Sequence, residues 1–329
     1  GNGLTLGNAL TLGSLSGATL KNLAGNNAWS GPIADTATST MNVNAGTLTI
    51  EGPIVGAGGL TKSGAGTLVL PGANSYAGIT KVSAGVLDVQ VPAALGNNTS
   101  VTVAPAGTLQ FDGTGLDISK TLNLKGTLAS LSGSNTWSGK IGLPDATSKV
   151  NVGTGKSLTL SGIISGLGKL TEVGAGRLIV SALNTYAGGT VVSGGTLGGD
   201  GKIGSLTVKN GATLAPGTTT TQILSTGSVT FSAGSTFAVT LNGTTAGTNY
   251  DQLSVTGKVN LAGATLNVNL GFTPAIGNAF TLIENDGTDA VVGTFAGLSE
   301  GATLVLGGMT FQISYKGGTG NDVVLTRTA

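Results

Sequence analysis

Short stretches in which apolar and polar residues alternate recur along the whole chain. Residues 265–270 read TLNVNL, so that every second position is Leu or Val and the positions between are Thr or Asn. A period of two is typical of a β-strand with one buried face. Leu266, Val268 and Leu270 are therefore expected to point into a core. No apolar stripe with helical spacing persists, so the pattern predicts an all-β protein.

A short phrase returns about every 20 residues. It consists of one or two small residues, usually Gly, followed by Thr-Leu or a close variant, and its leucines in one run are Leu48, Leu68, Leu87, Leu109 and Leu128. A period near 20 is typical of a solenoid, in which each repeat forms one coil. The preceding Gly permits a tight corner between strands. Phrases from Leu20 to Leu304 predict about 13–14 coils, stacked at the strand spacing of about 4.8 Å.

A longer repeat lies over the short one. Residues 25–31 (GNNAWSG) correspond to 133–139 (GSNTWSG) at an offset of 108, and residues 74–78 (NSYAG) correspond to 184–188 (NTYAG) at an offset of 110. A unit of about 110 residues, which we interpret as five coils, therefore occurs twice.

The composition removes several classes of chemistry. The 329 residues include 59 Gly but no Cys and no His, and only 9% are charged. The chain therefore has no Cys/His zinc site, no Ser-His-Asp triad and no disulfide framework. Its 15 basic and 14 acidic residues give a net charge of +1, which argues against nucleic acid as a partner. No stretch approaches 18 consecutive apolar residues, so we expect no membrane insertion by this segment.

The character of the sequence shifts near residue 216. Pro216-Gly217 and the four threonines 218–221 suggest a joint, and beyond them the spacing of strands is looser. We predict a β-helix with two super-repeats over 1–215 and a continuation towards a terminating region over 216–329. The first 20 residues already read as strand, and the chain starts at Gly1 rather than Met, which we interpret as a processed or excised segment.

Three phrases together resemble a known repeat. Residues 58–70 (GGLTKSGAGTLVL), 74–78 (NSYAG) and 82–87 (VSAGVL) resemble the passenger-associated transport repeat of bacterial autotransporter passengers. The second copy, 167–197, departs from that pattern at Lys169, Glu172 and Arg177. The resemblance implies a right-handed, single-strand parallel β-helix located outside the cell or on the outer-membrane surface. It does not imply an activity, because such passengers include adhesins, enzymes and stalks.

Acidic residues are the candidates for catalysis, because β-helices also include polysaccharide lyases and hydrolases. Glycoside hydrolysis requires two carboxylates roughly 5–9.5 Å apart. Asp88 and Asp112 are separated by about one coil, and so are Asp117 and Asp145. Chance alone would produce such pairs among 14 acids, so we favour solvated surface acids and predict no catalytic residues.

Two Gly- and Asx-rich segments are candidates for calcium. Residues 284–289 (ENDGTD) offer oxygen ligands, and residues 317–325 match a calcium-binding nonapeptide. The first segment lacks the EF-hand spacing, and the second occurs once where such sites need tandem copies. Turns require the same residues for backbone reasons, so we predict no metal site and no cofactor.

Four aromatic residues occupy equivalent places in the repeat phrases. They are Trp29, Tyr76, Trp137 and Tyr186, each in a motif of the form Asn-x-aromatic-small-Gly. Exposed in a row, they would form a glycan-stacking strip. The alternative, which we favour, is that each ring covers the corner of a coil.

These observations predict a non-catalytic, extracellular or cell-surface β-helical protein with a structural or adhesive role. Its expected partners are other copies of itself, associated end to end or laterally into fibres, and glycans or surface proteins of a host or matrix. The alternative is a polysaccharide-binding or polysaccharide-degrading β-helix.

Overall fold

The computed structural model describes residues 3–13 and 17–329. Within these residues the elements are strands, apart from one 3₁₀ turn at Pro92–Leu95, which confirms the predicted all-β class. No described helix is long and apolar enough to cross a membrane. The chain divides into two compact units, Gly1–Gly168 and Lys169–Ala329. The boundary predicted at 215/216 lies inside the second unit and stays a prediction.

The first unit consists of short strands joined by tight corners. In chain order they are β1 (Thr5–Leu6), β2 (Leu10–Leu12), β3 (Thr19–Asn22), β4 (Asn26–Trp29), β5 (Ile33–Asp35), β6 (Ser39–Val43), β7 (Thr47–Ile50), β8 (Ile54–Val55), β9 (Leu60–Ser63), β10 (Thr67–Leu70), β11 (Thr80–Val89), β12 (Ser100–Phe111), β13 (Asp117–Ile118), β14 (Thr121–Leu124), β15 (Thr127–Ser130), β16 (Ser134–Trp137), β17 (Ile141–Gly142), β18 (Lys149–Val152), β19 (Ser157–Leu160) and β20 (Ile164–Ser165).

Parallel pairing stacks these strands into three sheets, and consecutive strands enter the sheets in turn. The first sheet runs through β1, β4, β7, β10, β11, β12, β15 and β18. The second is divided into two separate stacks, one of β2, β5 and β8 and one that includes β13, β16 and β19. The third runs through β3, β6, β9, β11, β12, β14, β17 and β20, with β11 and β12 bent across a corner. Three strands therefore make one coil of the predicted parallel β-helix.

The phrase that recurs in the sequence becomes a ladder of buried leucines. Leu48 pairs with Leu68, Leu68 with Leu87, Leu87 with Leu109 and Leu109 with Leu128 in the first sheet. All five are buried. Burying a Leu contributes about 1.5–3 kcal/mol, so a repeated Leu at each coil both stabilises the stack and fixes its register.

The long repeat does not contain a whole number of coils. Five strands, β7, β10, β11, β12 and β15, follow β4 in the first sheet, so β15 lies five coils after β4. The strand that corresponds to β4 in the second copy is not β15 but β16, which pairs in the second sheet. The repeat is therefore five coils and one third, which corrects the estimate of five. As a result Trp29 lies in the first sheet and its counterpart Trp137 in the second.

Glycine is required where one corner stacks directly on the backbone of the next. A Cβ on Gly52 would overlap the carbonyl oxygen of Gly31, and a Cβ on Gly162 would overlap that of Gly139. Neither Gly52 nor Gly162 has a positive φ. Close approach of stacked backbones, and not only conformational freedom, therefore explains part of the high Gly content.

The second unit begins with short strands and ends with longer ones. In chain order they are β21 (Leu170–Glu172), β22 (Arg177–Val180), β23 (Thr190–Val192), β24 (Thr196–Gly199), β25 (Leu206–Val208), β26 (Thr213–Leu214), β27 (Ile223–Thr226), β28 (Val229–Phe231), β29 (Thr236–Leu241), β30 (Gln252–Val255), β31 (Val259–Asn260), β32 (Thr265–Leu270), β33 (Ala279–Asn285), β34 (Thr303–Leu306), β35 (Met309–Gly317) and β36 (Asp322–Arg327).

Parallel stacking also builds this unit, up to its last sheet. One sheet contains β21, β23, β25, β28 and β31. A second contains β22, β24, β26, β29 and β32. In the third, β27, β30 and β33 are parallel, whereas β36, β35 and β34 follow in antiparallel order. The antiparallel strands cover the edge that β33 would otherwise expose.

Candidate functional site

The four repeat aromatics do not form a glycan-stacking strip. Tyr76, Trp137 and Tyr186 are buried, and Trp29 is half-buried. Trp137 stacks on Phe111 with ring centroids 6.0 Å apart and planes 3° from parallel. Stacking on a sugar requires an open ring face, so these side chains instead fill the interior of the coils.

The two buried tyrosines are held in the same way within their own units. The Tyr76 hydroxyl lies 2.7 Å from Thr80 Oγ1, and the Tyr186 hydroxyl bonds Thr190 Oγ1. Burial raises the pKa of Tyr186 to about 12 and that of Tyr76 above its ordinary value. Both therefore stay neutral, as corner residues with a satisfied hydroxyl.

The structure brings the first acidic pair into electrostatic contact. Asp88 is buried, and burial, followed by the charge of Asp112, raises its pKa to about 6. Asp112 is exposed and accepts a hydrogen bond from the Ser132 hydroxyl. A hydrolase needs both carboxyl groups open to the substrate, whereas Asp88 is only 5% exposed.

The two members of the second acidic pair have different polar neighbours. Asp117 Oδ1 accepts a hydrogen bond from Ser138 Oγ at 2.6 Å. Asp145 is held by hydrogen bonds from Thr147, which lower its pKa, and its carboxylate lies 3.9 Å from Lys125 Nζ. Each acid thus has its own neighbours, as expected of solvated surface residues.

The two calcium candidates lie against each other. Asn321 Nδ2 donates to the carbonyl oxygens of Asp286 (3.2 Å), Gly287 (3.3 Å) and Asp289 (3.2 Å). The Asn285 N–H donates to Asp322 Oδ1 at 2.9 Å. Three carbonyl oxygens that could have ligated calcium therefore accept hydrogen bonds from the side-chain amide of Asn321. Among the described residues, no group of three or more His, Cys, Asp or Glu could hold a metal ion.

The second unit contains a polar groove that the sequence does not predict. It has a volume of about 280 Å³. Residues of β29, of β32, of the loop 216–221 and of the 242–251 segment line it. The lining residues are Arg177, Ala215, Pro216, Thr218, Thr219, Thr220, Thr221, Ala238, Val239, Thr240, Asn242, Asp251, Asn267 and Asn269.

Arg177 lies at one end of this groove. Its side chain passes over Gly198, where a Cβ would lie 2.5 Å from Nη2. Nη2 donates to the carbonyl oxygens of Ala215, Gly217 and Thr218 at 3.4, 3.0 and 3.1 Å. Nε is buried and has no hydrogen-bond partner. The loop carbonyls thus fix the guanidinium and leave a donor unused.

Asp251 is the nearby counter-charge. Its Oδ1 accepts from the Gln222 N–H at 3.1 Å, and its Oδ2 accepts from the Thr240 N–H at 2.8 Å. The residue is buried, and burial raises its pKa against the opposing effects of these hydrogen bonds and of Arg177. Asp251 therefore ties the loop to β29. The sequence signal for this site was the departure at Arg177, where the first repeat copy has Thr67.

Comparison with known proteins identifies the repeat. The family model of the passenger-associated transport repeat matches residues 4–50, 60–89 and 170–198. These ranges cover β1–β7, β9–β11 and β21–β24. The chain carries autotransporter passenger repeats. It is 36% identical over 152 residues to the adhesin BmaC autotransporter of Brucella suis biovar 1 (strain 1330).

This similarity has a limited extent. It covers 46% of this chain but only 4% of the adhesin, so the chain spans a small part of that protein's length. The passenger repeats and the stacked coils nevertheless agree with each other, and together with the similarity to an autotransporter adhesin they support a surface-exposed or extracellular location. The resemblance to passenger repeats, the parallel β-solenoid fold and the location predicted from the sequence are thereby confirmed. In the part of the chain that the structure describes, the number of coils is about 11, fewer than the 13–14 predicted.

Proposed function

We propose that this passenger segment is a non-catalytic, adhesive β-helix of the cell surface. The observation that carries the proposal is that the passenger repeats coincide with stacked coils, together with the similarity to an autotransporter adhesin. Within each unit, many of the outward side chains of the stacked strands are Thr, Asn or Ser. A net charge of +1 gives it little electrostatic repulsion from other surfaces.

The candidate acids support a role without catalysis. Asp88 is buried, and Asp117 and Asp145 are each engaged with separate neighbours. None of the candidate acids forms an open pair of carboxyl groups on the outer surface. Binding through a surface of uncharged polar groups needs no such pair.

Adhesion is tested with coated beads. Beads carrying the purified chain are incubated with cultured epithelial cells and with immobilised matrix glycoproteins, and bound beads are counted. The control beads carry a Gly52→Val variant, in which the side chain would overlap the Gly31 carbonyl and disrupt the stack. We expect at least tenfold more binding by the native chain. Equal binding by both kinds of bead would refute the adhesive function.

Association between copies is a second candidate, favoured by β32. This strand pairs with β29 and lies at the edge of its sheet. Leu266, Val268 and Leu270 of β32 are half-buried, whereas the residues paired with them in β29 are buried. An edge strand with half-exposed apolar side chains is a template for pairing with another strand.

Light scattering coupled to size exclusion tests this association. Val268→Lys places a charge on the apolar side of β32, and Asn267→Lys places the same charge on its outward side. We expect the native chain and Asn267→Lys to form larger species as concentration rises, and Val268→Lys to remain monomeric. A native chain that is monomeric at every concentration would contradict this second candidate.

A further inference from the structure

The polar groove on the outer face of β29 and β32 has the features of a ligand site. We propose that it binds a short acidic oligosaccharide, with a sugar carboxylate against Arg177 and sugar hydroxyls against the Thr and Asn side chains. The proposal rests on the adhesive function and names the class of ligand that one surface of the passenger would recognise.

Arg177 is positioned in advance for an anionic group. Three carbonyl oxygens hold Nη2 at 3.0–3.4 Å, so that the long side chain loses little further entropy on binding. Its Nε is buried and has no hydrogen-bond partner, so the charge of the guanidinium is only partly compensated by the chain. Arg177 also lines the groove, and a planar guanidinium matches the two oxygens of a carboxylate.

Asp251 does not use its carboxylate to bind the guanidinium of Arg177. Both of its oxygens accept hydrogen bonds from backbone N–H groups, those of Gln222 and Thr240. Asp251 lines the groove as well, but it is only 5% exposed, so Arg177 is the charged side chain that a ligand would meet more readily.

The rest of the groove suits hydroxyl groups. Asn267 and Asn269 are exposed on the outward side of β32, and Thr240 lies opposite Asn269 in β29. Hydroxyl and amide side chains both donate and accept hydrogen bonds, as sugar hydroxyls do. The guanidinium of Arg177 bonds the carbonyl of Ala215, directly after β26. The distance from β26 to β32 is two strand spacings, about 10 Å, which is comparable to the length of a disaccharide.

A titration with matched disaccharides tests the proposal. Digalacturonate and its dimethyl ester, which lacks the carboxylate charges, are titrated into the full chain by isothermal calorimetry at low salt. We expect the acid to bind at least tenfold more tightly than the ester. Equal affinity of the two, or no binding of the acid, would overturn the proposal.

Two variants locate the binding site. Asn269→Asp adds a negative charge to an exposed groove residue and should weaken binding of digalacturonate at least tenfold. Asn123→Asp makes the same change on the exposed side of β14 in the first unit and should leave the affinity unchanged. Equal effects of the two variants would show that the acid does not bind in the groove.

Arg177→Lys adds a test of the guanidinium itself. Lysine keeps the charge but lacks the planar fork, so affinity should fall while circular dichroism stays native. The bead assay is independent of this titration. Adhesion without binding of digalacturonate refutes the groove ligand alone, and binding without adhesion refutes the adhesive function alone.

Discussion

Replacing Asp35 by Leu should stabilise the first unit. Asp35 is the last residue of β5 and is fully buried. Both of its carboxyl oxygens are buried without a hydrogen-bond partner. Burial raises its pKa to about 6, against a smaller opposing effect of the Ser39 hydroxyl. An ionised carboxylate in this position is unfavourable, because it has lost water and the nearby Ser39 hydroxyl compensates for only part of that loss.

The second copy of the long repeat supplies the natural replacement. The Gly58 N–H donates to the carbonyl of Asp35 at 2.8 Å, and the Gly168 N–H donates to that of Leu143 at 2.8 Å. Leu143 therefore occupies the corner equivalent to that of Asp35, and it too is fully buried. One copy thus shows that Leu fits the corner that holds Asp in the other.

The size of the effect follows from the pKa. A carboxyl group whose pKa is about 6 in the folded chain, against its ordinary 3.8, destabilises the fold by about 1–3 kcal/mol at pH 7, the lower figure allowing for solvent screening. The folded state binds more protons than the unfolded state between these two values. Stability should therefore fall as pH rises from about 4 to 6. Asp35→Leu removes this loss and adds buried apolar area.

Urea unfolding at several pH values measures the effect. The gain in the free energy of unfolding for Asp35→Leu should grow between pH 4 and pH 7. The reciprocal change, Leu143→Asp, is the matched control and should destabilise the chain increasingly over the same range. The reasoning would be refuted if Asp35→Leu were destabilising at pH 7, or if its effect did not change with pH.

Three further changes test the packing described above. Gly162→Ala should destabilise the fold by about 2–4 kcal/mol, measured by urea unfolding, because the new Cβ overlaps the Gly139 carbonyl. Trp137→Ala should cost about 3–5 kcal/mol in the same assay, since it empties a buried site stacked on Phe111. Asn321→Ala should speed amide hydrogen exchange over residues 285–289, because three carbonyls lose their shared donor. An unchanged free energy of unfolding for either of the first two variants, or unchanged exchange for the third, would contradict the contact that the variant removes or disturbs.

The ladder of coils could be predicted from sequence because its signal is repeated. Leu48, Leu68 and Leu87 each sit in the same phrase, and stacking places them in one register column. The alternation of apolar and polar residues then predicts which side chains of each strand face the core. Corner aromatics such as Trp137 followed from their fixed place in the phrase.

The features that escaped prediction depend on which strands become neighbours. A spacing of 108 residues does not reveal that the repeat ends one third of a coil beyond five, so the different sheets of Trp29 and Trp137 were not foreseen. The groove is assembled from Arg177, Asp251 and Asn269, which are far apart in sequence and carry no shared motif. Likewise, the pairing of Asn321 with residues 286–289 appears only once β33 and β36 are adjacent.

Engineered disulfides would test the stacked coils most directly, because the chain has no Cys of its own. Thr136 of β16 pairs with Thr159 of β19, and Asp117 of β13 pairs with Thr136. A disulfide needs Cα atoms about 4.4–6.8 Å apart, which one strand spacing of about 4.8 Å provides and two do not. Thr136→Cys with Thr159→Cys should therefore cross-link under mild oxidation, and Asp117→Cys with Thr159→Cys should not. Cross-linking of the second pair, or failure of the first, would contradict the parallel β-helix on which the proposed adhesive surface depends.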